Sequence, residues 1–354
     1  MSDSHEGYSA APAPSGSIGR LAELFGGDPM SRLDADMKHV LDRLTELGAR
    51  SLEHLTPEMA RRQPQPSEAI AAILGQQSRE RPDDGVETED ISVTGAEGEL
   101  PARIYRPAGL LSRLNPVVLY FHGGGFVTGD LDSHDASARA LARRTGAIVV
   151  SAHYRLAPEH RLPAAHEDAW AIWQWLIGKV EELNGDSKRL AVAGEDAGGN
   201  LAMHIALSAR DAGNAQPVHQ LLIHPIAGSD MATASYGEML RARPIGLPAM
   251  RWRYRHLVEN QDDLKDSHID LATREDLAGV APATLILAGL DPLRSEGAAL
   301  AEALEAAHVP VSSWIYEGVT QGFFGLGLVV TKALFAQSDA ADALSKAFAP
   351  ARKS

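Results

Sequence analysis

Apolar positions near the start of the chain recur at helical spacing. Met37, Val40, Leu41, Leu44 and Leu47 alternate with Asp, Lys and Arg, which predicts an amphipathic helix that Gly48 is placed to end. A second helix is predicted from Thr56-Pro57-Glu58, because proline fits a first helical turn, where its missing N–H is not needed. Polar, proline-bearing sequence from Gln63 to Ser67 gives way to another helix, and a charged linker follows from Arg79 to Asp84. Past about residue 88 the pattern changes to short β-rich runs: Ile91–Val93, Ala102–Tyr105, Val117–Phe121, Ala147–Ala152, Leu190–Ala193, Leu221–His224, Thr284–Leu287 and Val311–Ile315. Several of the middle and later runs are almost continuously apolar, as strands buried on both faces must be. Their alternation with helical segments predicts an α/β fold with a mostly parallel sheet covered by helices.

Between His224 and about Asp276 the alternation stops. Helical, aromatic-bearing sequence containing Tyr236, Met250, Trp252 and Tyr254 replaces it. An insertion there, together with the N-terminal helices, would form a helical cap over the carboxyl ends of the strands, the edge at which open α/β sheets bind ligands. The expected division is residues 1–85 as lead-in and cap helices, 86–224 as the first part of the core, 225–276 as the cap insertion and 277–354 as the second part of the core.

Composition narrows the function classes. With 354 residues, 44% hydrophobic and 23% charged, the chain is expected to form one enzyme-sized α/β unit with an elaborated cap. A net charge of −14 argues against nucleic acid, whose phosphates need a basic surface, and reads as solubility. The absence of cysteine excludes disulfides, thiolate metal sites and cysteine nucleophiles. No histidine pair shows clear ligand spacing with a carboxylate partner, so neither a metal nor a cofactor is expected. No run approaches the ~18 apolar residues of a membrane span. The acidic start, Met1 to Glu6, has no apolar core behind it, so a cytoplasmic location is expected, with a mobile lead-in from Ala10 to Gly16.

Two motifs carry candidate chemistry. His122-Gly123-Gly124-Gly125-Phe126 follows the apolar run Val117–Phe121, and a glycine run just past a strand lets backbone amides face a cavity where they can stabilise an oxyanion. Gly194-Glu195-Asp196-Ala197-Gly198-Gly199-Asn200 lies between the strand Leu190–Ala193 and a helix expected from Asn200 onward. Small residues around one central residue suit a sharp strand-to-helix elbow that holds the central side chain in a strained turn.

In this order the motifs resemble the hormone-sensitive-lipase type of α/β-hydrolase, whose patterns are His-Gly-Gly-Gly and Gly-Asp-Ser-Ala-Gly-Gly-Asn. Further segments extend the resemblance over nearly the whole chain from Leu33: Phe126 to Asp130, Ser133-His134-Asp135, Tyr154 to His160, Ala288 to Leu293 with Glu296-Gly297, and Gly318 to Phe323. The resemblance implies oxyanion amides at Gly124, Gly125 and Ala197, an orienting acid at Asp291, a nucleophile at Asp196 and a base at Gln321. Two of these depart from the family: Asp196 stands where it has serine, and Gln321 where it has histidine.

Serine esterase chemistry needs a base that takes a proton and returns it, and a glutamine amide does not titrate. An aspartate needs no such activation, but releasing a covalent ester would still require an activated water. Proton transfer by Asp196, or addition without hydrolysis, survives better. Among the histidines, His224 ends a strand at the ligand-facing edge and is the surrogate base to weigh against a packing role. His122 is expected to brace the glycine loop, His134 and His160 match family segments, and His166 is expected to pack a helix. The leading expectation is an enzyme repurposed for cyclisation, isomerisation, epoxide opening or coupling of a carbonyl- or epoxide-bearing small molecule, with specialised metabolism as its setting. A small-molecule-binding protein without catalysis is the alternative, and a weak carboxylesterase the third. A homodimer is compatible with each.

Overall fold

The computed structural model describes residues 28–77, 85–110 and 114–349; the lead-in at Ala10 to Gly16 and the linker at Arg79 to Asp84 lie outside the described residues. Each of the eight β-rich runs becomes a strand: β1 (Val86–Thr94), β2 (Glu99–Pro107), β3 (Asn115–Phe121), β4 (Ile148–Ala152), β5 (Gly185–Glu195), β6 (His219–Ile223), β7 (Ala283–Leu290) and β8 (Val311–Thr320). They form one sheet in the order β1-β2-β4-β3-β5-β6-β7-β8. The β1–β2 and β2–β4 pairs are antiparallel, and every later pair is parallel.

Helices α1 (Ala35–Glu46), α2 (Pro57–Arg61) and α3 (Pro66–Gln76) precede the sheet. Helices α4 (Asp135–Thr145), α5 (Ala164–Lys179), α6 (Ala197–Asp211), α9 (Arg294–Ala306) and α10 (Thr331–Phe348) alternate with its strands, while α7 (Ala234–Glu238) and α8 (Leu247–Leu257) fall between β6 and β7. Proline opens α2 as expected, with Thr56 capping the Met59 amide at 3.2 Å. Helix α6 starts at Ala197, three residues before the expected Asn200, because the elbow turns directly into the helix.

Strand alternation builds two cores. Val117, Leu119 and Phe121 pack with Ile172, Trp173, Leu201 and Ile205, whereas Val118 and Tyr120 pack with Leu141, Phe323, Phe324 and Leu344 on the other face. All residues of β4, β6 and β7 are buried, but β1 and β8, at the edges, are largely exposed.

The site's position follows from strand order. β3 lies between β4 and β5, so successive crossovers leave it in opposite directions. A crevice opens at such a switch point, outside the carboxyl ends of the strands. Phe121 pairs with Gly194, which brings the glycine loop after β3 beside the elbow after β5. Residues 225–276 hold no strand, and Trp252 Nε1 donates to Leu55 O at 2.9 Å, tying this segment to the N-terminal helices.

Candidate active site

The turn from β5 into α6 holds Asp196 at φ 55° and ψ −114°, a conformation that costs a non-glycine residue strain. The surroundings enforce it. The Asp196 amide donates to Ile223 O at 2.9 Å, and its carbonyl accepts from Ile226 at 3.1 Å and Asn200 at 3.2 Å. Gly198 permits the close packing behind the turn, since a Cβ there would lie 2.0 Å from Phe121 O.

The carboxylate of Asp196 is buried. Its Oδ2 accepts from the Gly124 and Gly125 amides, both at 2.9 Å. The two amides expected to face a substrate oxygen are therefore occupied by the protein's own carboxylate. Ala197 is buried as the first residue of α6, and its amide makes no hydrogen bond to that carboxylate. Among the described residues Oδ1 has one hydrogen bond, from Arg253 Nη1 at 3.5 Å, while the same nitrogen lies 3.2 Å from Oδ2.

Arg253 is the residue that sequence reasoning missed. It comes from α8 and is only 5% exposed. Nη1 also donates to Gln321 Oε1 at 3.4 Å, so Arg253 bridges the aspartate and the glutamine. Its aliphatic stem lies across the glycine loop, where a Cβ on Gly125 would sit 2.3 Å from Arg253 Cδ. A signal was present in the sequence. Met250, Arg253, Tyr254 and Leu257 share the buried helical face, and a lone cation on an apolar stripe calls for a buried anion.

Asp291, after β7, is buried, with Oδ1 accepting from the Leu293 amide at 2.9 Å and Oδ2 lacking a partner among the described residues. Burial pushes its carboxyl up to about 6, against the opposing pull of nearby His224. It makes no hydrogen bond to Gln321, whose Nε2 is likewise unpartnered among the described residues.

His224 is buried one residue past β6. Its Nε2 lies 3.3 Å from the Gly322 amide and 3.6 Å from Glu195 Oε2, with no hydrogen bond to Asp196. Burial lowers its pKa, but the carboxylates of Glu195, Asp291 and Asp196 outweigh it and raise the ring above its ordinary 6.5. Glu195 also accepts from Tyr120 OH at 2.7 Å. Burial raises the Glu195 carboxyl, yet its hydrogen bonds and the neighbouring His224 and His134 rings hold it at about 2. His224 therefore lies against Glu195 behind the elbow and makes no hydrogen bond to the Asp196 carboxylate.

His122, His134 and His166 have structural partners. His122 Nδ1 lies 2.7 Å from Gly123 O and its Nε2 2.8 Å from His153 Nδ1, which braces the loop. His134 Nε2 accepts from the Gly123 amide at 3.1 Å. His166, buried on α5, pairs with Asn200 on α6 at 2.7 Å. Tyr236, Trp252 and Tyr254 are all buried. A cavity of about 330 Å³ lies along α8, lined by Glu53, Leu240, Leu247, Arg251, Trp252 and Arg255, and does not reach Asp196.

Strand order, a glycine loop beside a strained strand-to-helix elbow, and an acid after β7 define an α/β-hydrolase. A family model described as alpha/beta hydrolase fold matches residues 118–325, and the chain belongs to this family, in its hormone-sensitive-lipase type. It is 41% identical to Esterase LipI of Mycobacterium tuberculosis over 69% of this chain and 77% of that protein. It is 35% identical to an ethyl acetate hydrolase of Pseudomonas putida over 69% of this chain and 78% of the relative. The esterase of Pyrobaculum calidifontis matches structurally with a TM-score of 0.79 at 33% identity, covering 89% of this chain and 98% of its own. No helix among the described residues is long and apolar enough to cross a membrane.

Proposed function

We propose that this chain is an α/β-hydrolase-fold enzyme in which the Asp196 carboxylate, not a hydroxyl, does the chemistry on a carbonyl- or epoxide-bearing small molecule. The observation that carries the reading is the asymmetry of the carboxylate. Oδ2 is fixed by two amides at 2.9 Å, while among the described residues Oδ1 meets only a 3.5 Å hydrogen bond from Arg253. One oxygen anchored by two amides and the other held by one long contact leaves a lone pair for a carboxylate base or nucleophile. Gln321 offers no proton exchange, so products that form without activated water are favoured: cyclisation, isomerisation, epoxide opening or coupling.

A carbonyl oxygen could use the Gly124 and Gly125 amides only if Asp196 left them. The substrate oxygen is instead expected to meet Arg253 or Gln321. The esterase names of the relatives favour a weak carboxylesterase as a second reading, with Asp291 as its retained acid. Arg253 closing over Asp196 favours a third, a binding protein without turnover. Exposed Trp314 and Ile315 on edge strand β8 support a homodimer.

Asp196→Asn tests the leading reading, since it keeps size and hydrogen bonding and removes charge and proton transfer. Conversion of a true substrate should be lost while its binding stays within about tenfold, roughly 1.4 kcal/mol. In intact-mass measurements, an adduct on the wild type that the variant lacks marks a nucleophile. Conversion without an adduct marks a base. Tight binding without conversion by the wild type overturns the enzyme reading, and robust ester hydrolysis abolished by Asp196→Asn overturns the non-hydrolytic one.

A further inference from the structure

The guanidinium of Arg253 is used on one corner only. Nη1 reaches Asp196 Oδ1 at 3.5 Å, Gln321 Oε1 at 3.4 Å and Met250 Sδ at 3.5 Å. Nε is buried without a partner, and Nη2 makes no hydrogen bond among the described residues. The Nε/Nη2 edge is the planar fork whose two parallel N–H groups match a carboxylate. Leaving a charged donor buried and unmet is costly, so such groups in folded proteins call for an explanation. Gln321, which accepts from Nη1 through Oε1 at 3.4 Å, carries a second buried donor, Nε2, without a partner among the described residues. Two buried donors without partners among the described residues, on two contacting side chains beside Asp196, form a cluster that calls for an acceptor, and Nη2 completes the fork.

We propose that this cluster is a substrate-recognition site for a carboxylate, with Arg253 as the specificity-determining residue. The proposal deepens the reading of Asp196 as the reacting group and rests on it for the word substrate. A carboxylate accepts both hydrogens of the fork in one plane, and Gln321 Nε2 supplies a further donor to the same group. Asp196 does not compete, because its Oδ2 is held by the Gly124 and Gly125 amides and Nη1 alone faces it. Arg253 would bridge two carboxylates, the protein's and the ligand's, and so set the distance between the ligand's acid group and Oδ1.

The probes are benzoate and its neutral isostere benzamide, titrated calorimetrically into the full chain. Benzoate should bind, benzamide should not, and Arg253→Lys, which keeps the charge but removes the fork, should weaken benzoate at least tenfold. Arg251→Lys, on the exposed face of the same helix, should leave affinity unchanged, and thermal unfolding verifies that each variant is folded. Equal binding of benzoate and benzamide, no benzoate binding by the wild type, or equal loss in both lysine variants overturns the proposal. If benzoate binding fails while Asp196→Asn still abolishes conversion of a neutral substrate, only this inference falls. If benzoate binds through Arg253 and no substrate is ever converted, the recognition site stands and the catalytic reading falls.

Discussion

Replacing Asp291 by asparagine should stabilise the protein at neutral pH. The carboxyl is buried, its Oδ1 is satisfied by the Leu293 amide at 2.9 Å, and its Oδ2 has no partner among the described residues. Burial moves its titration from the ordinary 3.8 to about 6. An acid whose pKa is raised by folding binds its proton more tightly in the fold than in the unfolded chain. Its contribution is fully present below 3.8 and is lost as pH rises through about 6. A shift of about two tenfold steps, at 1.36 kcal/mol each, makes the ionised group cost about 3 kcal/mol at neutral pH. Asparagine copies the neutral acid, since its oxygen can still accept from Leu293. His224 removes part of the gain, because Asp291 is one of the carboxylates that support its charge. About 3 kcal/mol is therefore an upper bound. Thermal unfolding across a pH series should place Asp291→Asn above the wild type at about pH 8 and level with it at about pH 4. A variant no more stable than the wild type at the alkaline end would refute the reasoning.

Gly125→Ala should destabilise the fold by about 1–3 kcal/mol, because its Cβ meets the Arg253 stem and its φ is positive; in an Arg253→Ala background only the backbone cost of about 1 kcal/mol should persist, and an unchanged cost by chemical denaturation would clear Arg253 of the clash. Asp196→Ser with Gln321→His should raise hydrolysis of short activated acyl esters well above either single change, because nucleophile and base act as a unit. A folded double variant with no gain would mean that the oxyanion amides or the position of Arg253 also forbid the reaction.

The fold was legible because its signals are local. Eight β-rich runs became eight strands, and the segment after the break at His224 holds no strand. Strand ends moved most where polar residues extend the pairing, as in β1 and in β5, which begins at Gly185 rather than Leu190. The candidate site was legible only as a set of backbone-defined positions. Asp196 occupies the strained turn that the small residues around it suggested, and the glycine amides lie beside it. What those amides hold was not legible, because a carboxylate reaches where a serine hydroxyl would not. The 57-residue separation of Arg253 from Asp196 is bridged only by tertiary packing of α8, which no periodicity reports. His224 follows its strand by one residue, and it lies 3.6 Å from Glu195, a position where the family pattern has the shorter aspartate.

The substitution at the elbow and the cation above it are one device. A serine there leaves the two amides free, whereas an aspartate removes the hydroxyl and fills the amides in a single step. Two amides satisfy one oxygen of a buried carboxylate but do not neutralise its charge, and a charge left in that state costs several kcal/mol. Arg253 supplies the counter-charge from α8, and its stem fits only because position 125 has no side chain. A charge-neutral pair at the centre of the site can then be buried without closing off chemistry, provided a substrate offers Arg253 a second acceptor. The glutamine at position 321 fits the same logic. A histidine there, protonated beside Arg253, would add a second positive charge to a site built around one pair, whereas the amide oxygen of Gln321 accepts from Nη1 at 3.4 Å and adds none. The three residues are therefore electrostatically interdependent, and restoring either Asp196 or Gln321 alone to the family pattern leaves the other mismatched with Arg253.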